Sequence, residues 1–184
     1  MREIVGQICG IVVFVGCVLC TQLPKRWQML LVLGIVNLFC VPNQLLVGSG
    51  ITAALLCSVA TVNCFLNSYK AKKGLREHLW ENIIFAVLYF AAWGVGFAAS
   101  FKNGAPDYLD VFPLVAVIFF LGQVFLPKER DIRICTIGNS LMYFLYDSIN
   151  LNVAAFAKLF AMVSALVALI RYRKKDTVDK AEKL

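Results

Sequence analysis

Two copies of one three-segment pattern, in the same orientation and about 102 residues apart, constrain this chain more than any other feature. Leu23-Pro24-Lys25 recurs as Leu126-Pro127-Lys128. With one residue dropped after that, Asn37 falls on Asn139, Ala53 on Ala155 and Lys72-Lys73 on Lys174-Lys175. Upstream, Val13 to Val18 lies over Phe119 to Val124 once Cys20-Thr21-Gln22 is looped out, which sets Gly16 on Gly122. Each copy holds three apolar segments. Three is odd, so two copies share one membrane orientation only if a single extra span joins them, and Ile83 to Ser100 supplies it.

The bilayer enters the argument through composition: 60% of residues are hydrophobic and 16% charged, against roughly 25% charged in soluble domains. The expected spans are Ile4 to Thr21, Trp27 to Leu46, Ile51 to Tyr69, Asn82 to Ser100, Leu109 to Phe125, Ile132 to Ile149 and Val153 to Ile170. Each is about the 17 to 25 residues that cross the hydrocarbon core. Strands are excluded because an open edge in lipid is unpaired and no alternating barrel pattern occurs. The expected fold is therefore an all-α integral membrane protein of seven helices in a three-plus-one-plus-three order. Its parts are a first repeat (1–69), a link with the linker helix and outward turn (70–108), a second repeat (109–173) and a solvated or frayed tail (174–184).

The net charge of +7 is placed as a membrane protein places it, which argues against nucleic acid as a partner. Lys25, Arg26, Lys70, Lys72, Lys73, Arg76, Lys128, Arg130, Arg133 and the basic tail from Arg171 onward fall on one side of a seven-span chain. Arg2 and Lys102 fall on the other. The positive-inside rule then puts the carboxyl terminus in the cytoplasm and the amino terminus outside. These charges read as a solvated skirt, with a lipid-headgroup or partner site as the alternative. The first 21 residues look superficially like a signal peptide, but they have a counterpart in the second copy and are read as a permanent helix. Seven cysteines, nearly all in apolar spans, give no disulfide framework, and Cys17-Val18-Leu19-Cys20 lacks the second pair that a metal site needs. No metal, cofactor or enzyme constellation is expected: there is one histidine, no phosphate loop and no nucleophile elbow.

The polar residues inside the spans carry the functional reading. Asn37, Val41, Gln44 and Gly48 in one copy match Asn139, Tyr143, Tyr146 and Asn150 in the other, each at a spacing that lines one helix face. Unsatisfied amides are costly in hydrocarbon, so these faces point to protein or to a water-filled cavity. The two uses are interhelical hydrogen bonds and a midplane solute site between parallel repeats. Thr136, Ser140, Tyr143 and Asp147 add polarity to the sixth span, where the first copy has Gly34, Leu38, Val41 and Leu45. The candidate solute-binding residues are Asn37, Gln44, Asn139, Ser140, Tyr143 and Tyr146. Asp147 and Lys158 form a candidate gate or charge pair. Asn63, Asn67 and Ser164 add further polarity. On the linker span, Ala92, Gly96 and Ser100 make a small-residue face that clamps the repeats together or supports a homo-oligomer.

Gly6-Gln7, Gly16, Leu23-Pro24-Lys25-Arg26, Asn37 followed by Leu45-Leu46-x-Gly48, Phe112-Pro113-Leu114, and Arg133-Ile134 running into Asn139-Ser140 together resemble the YgjV family of bacterial inner-membrane proteins, over nearly all of residues 4–173. The resemblance implies a bacterial inner-membrane location. It also implies kinship with the PQ-loop group, which includes SWEET and SemiSWEET sugar facilitators, nicotinamide riboside transporters and the KDEL receptor. One departure stands out: no Pro-Gln dipeptide occurs, Val41-Pro42-Asn43-Gln44 being the nearest approach, so proline-hinge gating does not carry over. The expected function is a facilitator or transporter of an unknown small polar solute by alternating access. A ligand-binding receptor and a non-transporting scaffold are the competing readings.

Overall fold

A computed structural model of the chain describes residues 2–47, 50–75, 78–99, 108–126, 128–149 and 154–181, and these residues are α-helical apart from short turns. Helices α1 (Arg2–Gln22), α2 (Arg26–Val47), α3 (Ile51–Lys73), α4 (Leu79–Ala99), α5 (Val111–Phe125), α6 (Glu129–Ile149) and α7 (Ala154–Ala181) follow in order, with a 3-10 turn, Tyr108–Asp110, leading into α5. The sequence expects outward links at 47–50, 103–107 and 150–152; of these, 48–49, 103–107 and 150–152 lie outside the described residues, and with them Gly48 and Asn150.

Four helices combine the length and apolarity needed to cross a bilayer: Ile4–Gln22, Arg26–Leu46, Ile51–Lys73 and Leu79–Ala99. Helix α5 is apolar but has only 15 residues. Helix α6 opens on Glu129, Arg130, Asp131 and Arg133, which dilutes its apolar run. Helix α7 continues through the residues expected to form a frayed tail, as far as Ala181. Lys174 to Ala181 contains neither glycine nor proline to stop a helix already under way.

Apolar side chains recur on the outward faces. On α1 these are Ile4, Ile8, Ile11, Val15 and Leu19, and on α7 they are Phe156, Phe160, Val163, Val167 and Ile170, all exposed. Spacings of three and four put each set on one stripe, the pattern of helices solvated by lipid rather than water.

Helix α2 packs between α1 and α3, and α6 packs between α5 and α7. Helix α1 lies against α7, and α3 touches α5 over a shorter stretch. Six helices thus follow one another around a ring, α1-α2-α3-α5-α6-α7. Helix α4 sits outside it, against α3 and, more lightly, α5. Gly16 and Gly122 let the paired helices close up: a Cβ on Gly16 would collide with Val36 of α2, and one on Gly122 would meet the Cys135 sulfur of α6 at 2.6 Å. The largest apolar cluster (Leu30, Leu56, Ala60, Cys64, Tyr89, Val117, Phe120 and Val124) fills the place where α2, α3, α4 and α5 meet.

Candidate functional site

Inside the ring lies a cavity of about 50 Å³ bordered by side chains from all seven helices. At roughly 10–15 Å³ per water it holds about three to five water molecules. Its border on α2 runs from Leu33 to Gln44, about 16 Å at 1.5 Å per residue, so the space is a narrow file rather than a round chamber.

Asn37 and Asn139 both border this cavity. Their first obligations differ. Asn37 Nδ2 donates to Leu33 O of its own helix at 2.8 Å, whereas Asn139 Nδ2 donates across to Ala116 O of α5 at 2.9 Å. Each amide keeps a second N–H and a carbonyl oxygen for an occupant. Gln44, Ser140, Tyr143 and Lys158 also border the space. The Lys158 ammonium lies over the Tyr143 ring, 5.0 Å from its centroid, a position that lowers the cost of a cation away from water.

Tyr146 and Asp147 are buried but are not among the residues bordering the cavity. The Tyr146 hydroxyl reaches across to the start of α3, where a Cβ on Gly50 would lie 3.2 Å from it. Asp147 sits one turn beyond Tyr143 on α6 and lies within electrostatic reach of Lys158.

Gln123 of α5 is a cavity residue that the sequence argument passed over. It is 1% exposed, and its Nε2 has no hydrogen-bond partner; Gln44, 2% exposed, has an equally unpartnered Oε1. A lone amide in an otherwise apolar helix was the available signal. It stands alone on α5, with no polar residue three or four positions away to form a stripe with it.

The end of the bundle that carries the basic turns is closed by backbone capping. Arg26 Nη2 donates to Val124 O at 2.6 Å, linking the start of α2 to the end of α5. Arg133, only 2% exposed, donates from Nε to Thr21 O and from Nη2 to Leu23 O, each at 3.2 Å, linking α6 to the end of α1. The carbonyls at a helix carboxyl end lack intrahelical partners and carry partial negative charge, which suits a guanidinium. These two arginines therefore leave the solvated skirt and become part of the packing. Beside them, Thr21 and Ser164 share a 2.6 Å hydrogen bond, and Gln22 Nε2 donates to Ser164 Oγ at 2.8 Å. Farther around the same end, Lys72 and Lys73 lie over Trp27 and Tyr69.

Asn63 and Asn67 serve a different purpose. Asn67 Nδ2 donates to Asn63 Oδ1 at 2.6 Å and Asn63 Nδ2 reaches Tyr89 Oη at 3.5 Å, so the pair orients the aromatic ring that α4 pushes into the cavity wall. On α4, Gly96 is buried against Thr52 of α3, while Ser100 lies outside the described residues. Seven cysteines are free thiols, and Cys17, Cys20, Cys40 and Cys57 border the cavity. Among the described residues no group of three or more His, Cys, Asp or Glu is placed to hold a metal ion.

The sequence matches the Imp-YgjV family of bacterial inner membrane proteins over residues 4–176, nearly the whole chain, and the protein belongs to that family. No curated protein and no solved structure matches it.

Proposed function

We propose that this bacterial inner membrane protein is a facilitator or transporter of a small polar solute, in which two parallel three-helix repeats, joined by α4, rock about the central cavity. The observation that carries the reading is a cavity bordered by every helix, into whose largely apolar wall Asn37 and Asn139 come from matching sequence positions. Midplane sites between repeats are where transporters of repeated architecture hold their solutes. The ring order supports it as well. A two-fold operation that exchanges α1 with α5, α2 with α6 and α3 with α7 turns the α1/α7 contact into the α5/α3 contact, and both exist.

In this reading all seven helices span the bilayer, the basic end faces the cytoplasm and the amino terminus faces out. Asn37, Asn139 and Ser140 hydrogen-bond the solute, and Tyr143 shapes its path. The Arg26 and Arg133 ties close the cytoplasmic end, and Tyr146 against Gly50 narrows the other. Asp147 and Lys158 act together near the outer end.

The cavity cysteines test this in the native protein. A membrane-impermeant maleimide added to either face of oriented vesicles, with modified peptides identified by mass spectrometry, reports which side each thiol meets. Alternating access predicts modification of Cys17, Cys20, Cys40 and Cys57 from both sides. Modification from one side only favours a receptor, and from neither side a scaffold.

A further inference from the structure

Two buried carboxamides at the cavity have hydrogen-bonding capacity that the protein does not use. Gln44 Oε1 lacks a donor and Gln123 Nε2 lacks an acceptor. Both side chains are at least 98% buried and both border the cavity. Buried polar groups without partners are uncommon because each forfeits its hydration without replacement, so two at one cavity point to something that fills it.

Their places along the axis matter. Gln44 is three residues from the last residue of α2, Val47, and so lies at the end away from the basic turns. Gln123 is two residues from the last residue of α5, Phe125, beside the carbonyl that Arg26 caps. Arg26, whose side chain reaches Val124 O, lies 18 residues before Gln44 on α2, roughly 27 Å along the helix axis, too far for one small molecule to touch both glutamines at once. The glutamines are successive stations.

We propose that the solute is a small uncharged molecule carrying both hydrogen-bond donors and acceptors, of the size of urea or glycerol, received in turn by Gln44 and by Gln123. This rests on the transport reading and specifies its substrate class. A metal cation meets the Lys158 ammonium at the cavity wall and accepts no hydrogen bond from either carboxamide. A halide accepts hydrogen bonds and pairs with Lys158 but donates nothing to a carboxamide oxygen. A multiply charged solute finds one charged side chain on the described cavity border, Lys158, and Asp147 within reach offsets it. A molecule with hydroxyls or amides serves both stations, and the narrow file favours a slender one.

The test is uptake of radiolabelled urea and glycerol into proteoliposomes holding the wild-type chain, Gln44→Met or Gln123→Met, with chloride and sodium flux measured alongside. Methionine keeps the shape and volume and removes the hydrogen bonds, and a monodisperse gel-filtration peak establishes that each variant is folded. Urea or glycerol uptake above protein-free vesicles is expected, reduced about fivefold by either substitution, the worth of roughly one hydrogen bond, with ion flux at the protein-free level. Chloride flux through the wild type, solute uptake unchanged in both variants, or osmotic water flow with both solutes excluded would each overturn the proposal. Exclusion of both solutes by vesicles whose cavity cysteines label from both sides would discard this substrate class and leave the transport reading standing. Cysteines that label from neither side would remove the premise itself.

Discussion

The two three-helix units meet along two seams that are built from different chemistry. At α1/α7 the contact is long and directional: Ser164 engages Thr21 and Gln22, and Arg133 caps the end of α1 close by. At α3/α5 it is short and apolar, formed around Leu56, Ala60, Val117, Phe120 and Val124, with Tyr89 of α4 wedged edge-on against Phe120 at 5.7 Å. Directional bonds between helices in lipid resist sliding, whereas apolar side chains lose little by moving from one apolar neighbour to another. A repeat architecture would make equal seams by default. Their inequality gives α1/α7 the directional bonds that resist sliding and leaves α3/α5, backed by α4, with apolar packing.

The largest expected effect comes from removing the backing. A Cβ on Gly96 would lie 2.5 Å from Thr52 Cα and 2.7 Å from Thr52 Oγ1. In Gly96→Leu, therefore, α4 must lift from α3 and carry Tyr89 out of the apolar cluster. Overpacking of this kind costs about 3 kcal/mol, which corresponds to a melting midpoint roughly 6–12 °C lower for a chain of this size. Detergent-solubilised protein followed by tryptophan fluorescence reports it. A midpoint within a degree of wild type would show that α4 is a passenger and that the apolar seam stands without it.

Next in size is the pair of arginine ties, which the comparison ranks. Arg133→Ala uncaps the carbonyls of Thr21 and Leu23 at the end of α1, and Arg26→Ala uncaps that of Val124 on α5. Hydrogen bonds from a charged donor are worth about 1.5–3 kcal/mol. Arg133→Ala should lower the melting midpoint by about 4–8 °C and speed maleimide modification of Cys20 from the basic side, with Arg26→Ala milder in both. Arg133→Lys should recover little, since an ammonium lacks the fork that reaches two carbonyls. Equal effects of the two alanine variants would mean that the seams are energetically alike despite their chemistry.

Much of this architecture was legible in the residues and some was not, for physical reasons. Helices α1 to α4 follow from apolar length, whereas α5 is short and the charges of α6 and α7 dilute theirs; Asn37 and Asn139 border the same cavity. Gln44, Ser140, Tyr143 and Lys158 line that space too. Arg26 and Arg133 looked like skirt because charge pattern locates a residue at a membrane end and says nothing of whether a neighbouring helix end lies within its reach. Gln123 is a lone amide among apolar neighbours on α5, so no periodic stripe marks the face it lies on. Whether Tyr146 or Gln44 turns toward the cavity depends on a fraction of a helical turn, below the resolution of a spacing argument.

The smallest effect sharpens the comparison most, because it sets equivalent residues of the two copies against each other. Register between the copies puts Ser164 of α7 over Val62 of α3. Ser164 is buried against α1, while Val62 is 61% exposed on the outer face of the ring. The matching surface of α3 is therefore rotated away from α5, which accounts for how little of that seam α3 occupies. Ser164→Ala deletes the hydroxyl bonds to Thr21 and Gln22 but leaves Gln22 Nε2 on the Ser164 carbonyl, so the net loss is about 1 kcal/mol, within the roughly 0.6–2 kcal/mol of such bonds between helices in lipid. The expected loss is a midpoint lower by about 2–4 °C. Val62→Ala removes two methyl groups from a lipid-facing site and should fall within about 0.5 kcal/mol of wild type. Losses of equal size would mean that α3 packs on its neighbour as α7 does and that the inequality of the seams is not real. An Ser164→Ala protein as stable as wild type would place the register of α1/α7 in Arg133 alone.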